Sequence, residues 1–100
     1  MANVLLTYDI SQRHSEVKAA LRKKSFFDYW TDNKVTYYLP NTTMWKKGDG
    51  VTANSILDDI NAVIADLNRN EPANRFIRLE RCMSVAFVGW SGIAGEPHKS

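Results

Sequence analysis

The stretch at residues 3–10 constrains this chain more than any other. Val4, Leu5, Leu6, Thr7, Tyr8 and Ile10 are β-branched, aromatic or Leu, the composition of a strand. Polar and apolar residues do not alternate along it, so both faces are apolar. A strand of that kind belongs at the centre of a sheet. Asp9 falls near its carboxyl end.

Two amphipathic helices follow from the spacing of apolar residues. Ser11 is placed to cap a helix over residues 12–24, with Val17, Ala20, Leu21 and Lys24 on one face. Lys24 would bury only its stem there. Arg22, Lys23 and Lys24 close the helix, where cations complement the macrodipole. The second helix is the clearer one. Thr52 or Ser55 caps it, and Ile56, Ile60, Val63, Ile64 and Leu67 form its stripe. Asp58 and Asp59 lie near its amino end.

Between and after the helices the chain reads as strands. Residues 26–31 and 35–39 form a hairpin about Asp32-Asn33, ended by Pro40. Residues 41–51 read as a long loop closed by Gly48-Asp49-Gly50, although Met44 and Trp45 within it require burial. Residues 76–82 read as a fourth strand. Residues 84–90 read as a fifth, or as a continuation past a bulge. Residues 93–100 read as a mobile tail.

The predicted fold is therefore α+β: a ferredoxin-like βαββαβ sandwich in one domain over residues 1–100, ordered over about 3–92. An antiparallel sheet carries two helices on one face, with an extra C-terminal strand. Right-handed crossovers give that arrangement without knots. One hundred residues with 44% hydrophobic and 24% charged content suit a single packed domain and exclude a disordered chain.

Charge narrows the partners. Residues 1–50 carry eight Lys/Arg against five Asp/Glu, and residues 51–100 carry five against six. Any polyanion would meet the first half, but a net charge of +2 is small for a dedicated nucleic-acid binder. The single cysteine, Cys82, excludes an intramolecular disulfide and a cysteine-cluster metal site, and it suits a reducing compartment. No apolar run approaches the ~20 residues of a membrane span. With no secretory pattern read, the sequon at Asn41 is taken as chance. The expected location is cytoplasmic, with no membrane partner.

The segment Val4-Leu5-Leu6-Thr7-Tyr8-Asp9-Ile10, with a short polar turn and a helix after it, resembles the first strand of the small CRISPR-associated spacer-acquisition proteins, the second Cas subunit. It also resembles their orphan SinR-like relatives and, more distantly, the VapD-like toxins. The Tyr8-Asp9 step is the matching motif, and the element order agrees over about residues 3–90. In the third strand the acquisition proteins usually show a Ser-Val-Phe-like step. Here the stretch is Lys34-Val35-Thr36-Tyr37-Tyr38-Leu39, which favours the orphan SinR-like branch. The resemblance implies a ferredoxin-like homodimer with Asp9 at its axis. It also implies a Mg²⁺ ion shared by two Asp9 carboxylates, a hard-oxygen set that this cation accepts. Such a metal would activate water against a phosphodiester, which makes Asp9 the candidate catalytic and metal-binding residue. The bland alternative is an Asp that ends a strand and caps a turn.

Further candidates come from the residues themselves. His14 offers a general base and Arg13 a phosphate contact; otherwise both belong to a solvated helical turn. Arg22, Lys23, Lys24, Lys46 and Lys47 would form a basic nucleic-acid patch with Trp45 as a stacking ring, against the plainer reading of helix capping and a solvated loop. Arg78 shares a strand face with Glu80 and Cys82, as a charge pair. Arg81 falls in the row of Ile77, Leu79, Met83, Val85 and Phe87, which demands a bulge near residues 81–83 or an open interface. Cys82 reads as a buried structural thiol. Asp58 and Asp59 point about 100° apart on a helix and cannot converge on one metal.

The leading expectation is a dimeric module of unknown ligand. Tyr29, Trp30, Tyr37, Tyr38 and Trp45 exceed what one helix layer covers, and a second subunit would absorb them. A Mg²⁺-dependent endonuclease built on paired Asp9 is the second reading. A non-catalytic nucleic-acid-binding protein is the third.

Overall fold

The structure, a computed structural model, describes residues 2–95, with Ala2 described for its backbone alone. Among these residues the order is β1 (Ala2–Ile10), α1 (His14–Lys23), β2 (Tyr29–Asp32), β3 (Val35–Tyr38), β4 (Thr43–Gly48), α2 (Ala53–Asn68), a short 3-10 turn (Ala73–Arg75) and β5 (Leu79–Phe87). The part of the expected mobile tail at residues 96–100, His98 included, lies outside the described residues.

β1 is central, although only one of its faces is apolar throughout: Val4, Leu6, Tyr8 and Ile10 are buried, and Leu5 is the one apolar residue on the other side. It pairs antiparallel with β4 on one edge and with β5 on the other. β4 and β5 therefore run parallel to each other across β1, joined through α2. β2 and β3 form a separate two-stranded hairpin. One bridge ties the approach to that hairpin to the free edge of β4: Phe27 and Trp45 exchange backbone hydrogen bonds, each of 2.9 Å.

The core lies on one side of the three-stranded sheet. Val4, Leu6, Tyr8 and Ile10 of β1 alternate inward and join Val17 and Leu21 of α1 and Ile56, Ile60, Val63 and Ile64 of α2 in a single buried cluster. Met44, Phe26 and Ile77 complete it. Both helices thus cover the same face. Thr52 caps α2 through a reciprocal pair with Ser55: the Thr52 hydroxyl accepts from the Ser55 N–H at 3.0 Å, and the Thr52 N–H donates to Ser55 Oγ at 2.9 Å.

Several expectations need correction. Residues 41–51 are not a loop, because β4 runs through them. Met44 faces the core, and Lys46 on the same side holds its ammonium 5.3 Å over the centre of the Phe26 ring and 3.0 Å from Asp59. A lysine at an inward position hides the alternation. The strand expected over residues 26–31 starts only at Tyr29, since Phe26 is drawn into the core and Asp28 into a buried ion pair. The hairpin turns on Asn33-Lys34, one residue later than Asp32-Asn33. Both sit at positive φ, 50° and 66°, as a two-residue type I′ loop demands.

Among the described residues no extra C-terminal strand forms, because β5 continues past a bulge as one strand. Asp9 faces Arg81 while Ile10 faces Leu79, so Glu80 is the additional residue of a bulge. That insertion produces the change of phase that reads as two strands. The additional strand pairing is the β2–β3 hairpin, inserted between α1 and β4. Ser11 does not cap α1. Arg13 is the N-cap, at φ 61°, and the Ser11 hydroxyl accepts from the Arg78 N–H at 2.8 Å. On α1, Lys18 is buried, whereas Lys24 is exposed.

Candidate functional site

Among the described residues no helix covers the second face of the sheet, and the β2–β3 hairpin packs only against its Trp45–Phe87 end. The outward residues of β1 are Asn3, Leu5, Thr7 and Asp9, and register places their neighbours on the same face. Leu5 lies between Trp45 and Val85, and Thr7 between Thr43 and Met83. Asn3 lies between Lys47 and Phe87, and Asp9 stands beside Arg81. Met83 is 67% exposed and Val85 49%, so an apolar strip runs uncovered along the middle of the face.

At one end of the strip Asp9 accepts a hydrogen bond from Arg81 Nε at 2.7 Å. The pair closes a shallow cleft of about 490 Å³ lined by Thr7, Tyr8, Asp9, Arg81, Cys82 and Met83. Both side chains are well exposed, so the pair contributes little to stability. Arg81 stands on this face because of the Glu80 bulge. Upstream of the bulge Ile77 and Leu79 pack against the core, and downstream of it Arg81, Met83, Val85 and Phe87 point outward. The bulge lies just before residues 81–83, and the face is open as well. Arg78 does pair with Glu80, at 3.3 Å. Cys82 packs against the core, and burial pushes its thiol above the ordinary range. A protonated, half-buried thiol is a poor nucleophile.

At the other end of the strip the aromatics gather. Trp30 of the hairpin meets Trp45 at 5.5 Å between ring centroids, Phe87 at 5.8 Å and Trp90 at 4.8 Å. Trp90 also stands edge-on to Tyr37 at 4.9 Å. The Trp45 indole donates to the Tyr29 carbonyl at 2.7 Å, and Lys47 Nζ lies 5.8 Å over the Trp45 ring. Among the described residues the buried Trp30 indole N–H meets no acceptor, and ring packing surrounds that side chain. Sequence reasoning missed Trp90, which lies beyond β5. Its only local signal is a bulky ring between Gly89 and Gly92.

The other candidate residues do not assemble. Arg13 turns inward, its side chain 7% exposed. Its guanidinium donates to both Glu16 carboxylate oxygens at 2.7 and 2.8 Å, to the Leu67 carbonyl at 3.1 Å and to the Arg75 carbonyl at 3.2 Å. The hydrogen bond from Arg13 holds the Glu16 carboxyl below the ordinary carboxylate range, although partial burial pulls the other way. Gln12 donates to the Asn74 and Phe76 carbonyls at 3.0 and 2.8 Å. The polar turn after β1 is thus a structural joint to the segment leading into β5. His14 is exposed at the first position of α1.

The basic residues are divided between surfaces. Arg22 is held by Asp28 at 3.1 Å, while Lys23 and Lys24 are exposed at the end of α1. Lys46 lies on the helix side, and Lys47 with Trp45 on the open face. A strand sends adjacent lysines to opposite faces, so Lys46 and Lys47 cannot share a patch. Among the described residues no group of three or more His, Cys, Asp or Glu side chains converges to hold a metal. Asp9 is engaged by Arg81 at 2.7 Å. Among the described residues no helix is long and apolar enough to cross a membrane. No family model, curated protein or solved structure matches the chain.

Proposed function

We propose that this chain is an interaction module that dimerises through the uncovered face of its sheet, on a ferredoxin-like core in which the Phe27 bridge is the remnant of a fourth strand. One observation carries the reading: exposed Met83 and Val85, with half-buried Leu5 beside them, form an apolar strip on a face that the chain's own helices leave bare. An isologous interface requires a patch that complements itself. This patch has Asp9 and Arg81 side by side at one end, and a two-fold axis passing between them sets each acid opposite a base. Light scattering coupled to size-exclusion chromatography tests it. A mass about twice 11.4 kDa at micromolar concentration is expected. A clean monomer there overturns the reading.

A phosphodiesterase remains a second reading, favoured by the place of Asp9 on that same face. It requires the Asp9 carboxylates of two protomers to converge and Arg81 to let go. Mg²⁺-dependent cleavage of RNA or DNA that is lost in Asp9→Asn would support it. Equal rates in the variant and the parent chain, or none in either, remove it.

A further inference from the structure

The aromatic end of the open face has a chemistry that the dimer reading does not use. A cleft of about 200 Å³ opens between the hairpin and the end of β5. Trp30, Trp45, Phe87 and Trp90 line it, together with Asp32 and Asn3. Among the residues lining it Asp32 is the only ionisable one. Trp45 and Trp90 stand steeply against Trp30, with interplanar angles of 88° and 65°. The indole rings that line the cleft are thus set at steep angles to one another. Aromatic faces carry negative electrostatic potential, Trp most of all, and a carboxylate beside them adds a full charge. The chain already uses one of these rings in this way, since Lys47 Nζ sits over Trp45 from an adjoining cleft.

From this geometry we infer a binding site for a quaternary or N-methylated ammonium group, lined by Trp30, Trp45, Phe87 and Trp90 and neutralised by Asp32. A bulky, weakly hydrated cation suits such walls, because it loses little hydration on entry and touches several rings at once. A compact, strongly hydrated ammonium is disfavoured. The site stands apart from Asp9 and Arg81 and does not depend on them.

All three tryptophans of the chain line this cleft, so intrinsic fluorescence reports on it. The experiment titrates the full chain with tetramethylammonium chloride and with choline chloride, against sodium chloride at equal ionic strength. Saturable quenching by both quaternary cations is expected. The uncharged carbon isostere of choline, with a tert-butyl group in place of trimethylammonium, should bind about fivefold or more weakly, the discrimination a partly desolvated cation–π site supplies. Asp32→Asn, an exposed position that leaves the fold intact, should weaken choline severalfold without affecting the isostere. A trimethyllysine peptide that outcompetes choline would assign the site to a modified protein tail, and the reverse order to a free quaternary amine; both orders support the ammonium chemistry. Equal affinity for the isostere, undiminished binding by Asp32→Asn, or a response to tetramethylammonium no different from that to sodium overturns the inference.

Discussion

Lys18 Nζ lies 3.0 Å from Asp28 Oδ2, and both side chains are only 8% exposed. Arg22 reaches the same carboxylate oxygen at 3.1 Å from a half-exposed position. The pair locks the start of the hairpin segment to α1. Taking one partner from a buried pair leaves the other uncompensated, at a cost of about 3–5 kcal/mol. Lys18→Met should fall near the lower end, about 3 kcal/mol, because Arg22 still faces Asp28. Urea unfolding followed by circular dichroism checks this. A loss no greater than that of an ordinary surface substitution would refute it.

The same carboxylate predicts acid sensitivity. Burial raises the Asp28 pKa, but the hydrogen bond and charge of Lys18, with those of Arg22, outweigh it and hold the carboxyl below its ordinary value. A folded pKa below the unfolded one, about 3.9, means that the group's stabilisation is complete above that pH and is lost as pH falls through the folded value. The urea midpoint should therefore drop below about pH 4, and this component of the drop should vanish in Asp28→Asn. An identical acid profile in the variant would contradict the assignment.

Asn68 joins the end of α2 to the chain entering β5. Its side-chain amide donates to the Ile77 carbonyl at 3.0 Å, and its side-chain oxygen accepts from the Ile77 N–H at 2.7 Å. Ile77 is 3% exposed, so neither backbone group has ready access to water. Asn68→Ala should cost about 1–3 kcal/mol, the penalty of stranding buried polar groups. Amide exchange at Ile77 should accelerate with it. Unchanged protection there would sink the argument.

Lys34 occupies the second position of the hairpin loop at φ 66°. A side chain there is strained, and glycine is not. Lys34→Gly should stabilise the chain by about 1 kcal/mol and raise the melting temperature, since Asn-Gly is the favoured type I′ pair. A fall in melting temperature would show that the loop is held by other contacts.

Val85 faces out of the sheet and is 49% exposed. Val85→Glu should leave the chain folded, with unchanged far-ultraviolet dichroism, and convert a dimer to a monomer by placing like charges across the axis. A dimer that survives the substitution would move the interface elsewhere.

The legible parts of the fold were those with their own periodicity. The α2 stripe from Ile56 to Leu67 and the Thr52–Ser55 cap appear where the spacing puts them, because local burial and local hydrogen bonds decide both. The Val4–Ile10 run identified the central strand, whereas the aromatics read as wanting a second subunit pack on one another within the chain, Trp30 against Trp45, Phe87 and Trp90. The candidate site was only half legible. Asp9, Met83, Val85 and Trp45 were recognisable as residues in want of a setting, but Arg81 beside Asp9, and Trp90 against Trp30, join positions distant along the chain.

What the sequence determined alone was the class of element at each strongly patterned segment, since amphipathic spacing and caps act within one or two turns of chain. The tertiary structure alone decided the rest. It turned Thr43–Gly48 into a strand because β1 had a free edge to pair, and it made Lys18 a core residue because Asp28 arrived to neutralise it. It sent Arg81 outward through one extra residue at Glu80. Pairing, neutralisation and register depend on partners that meet only after the chain folds, and no local pattern carries them.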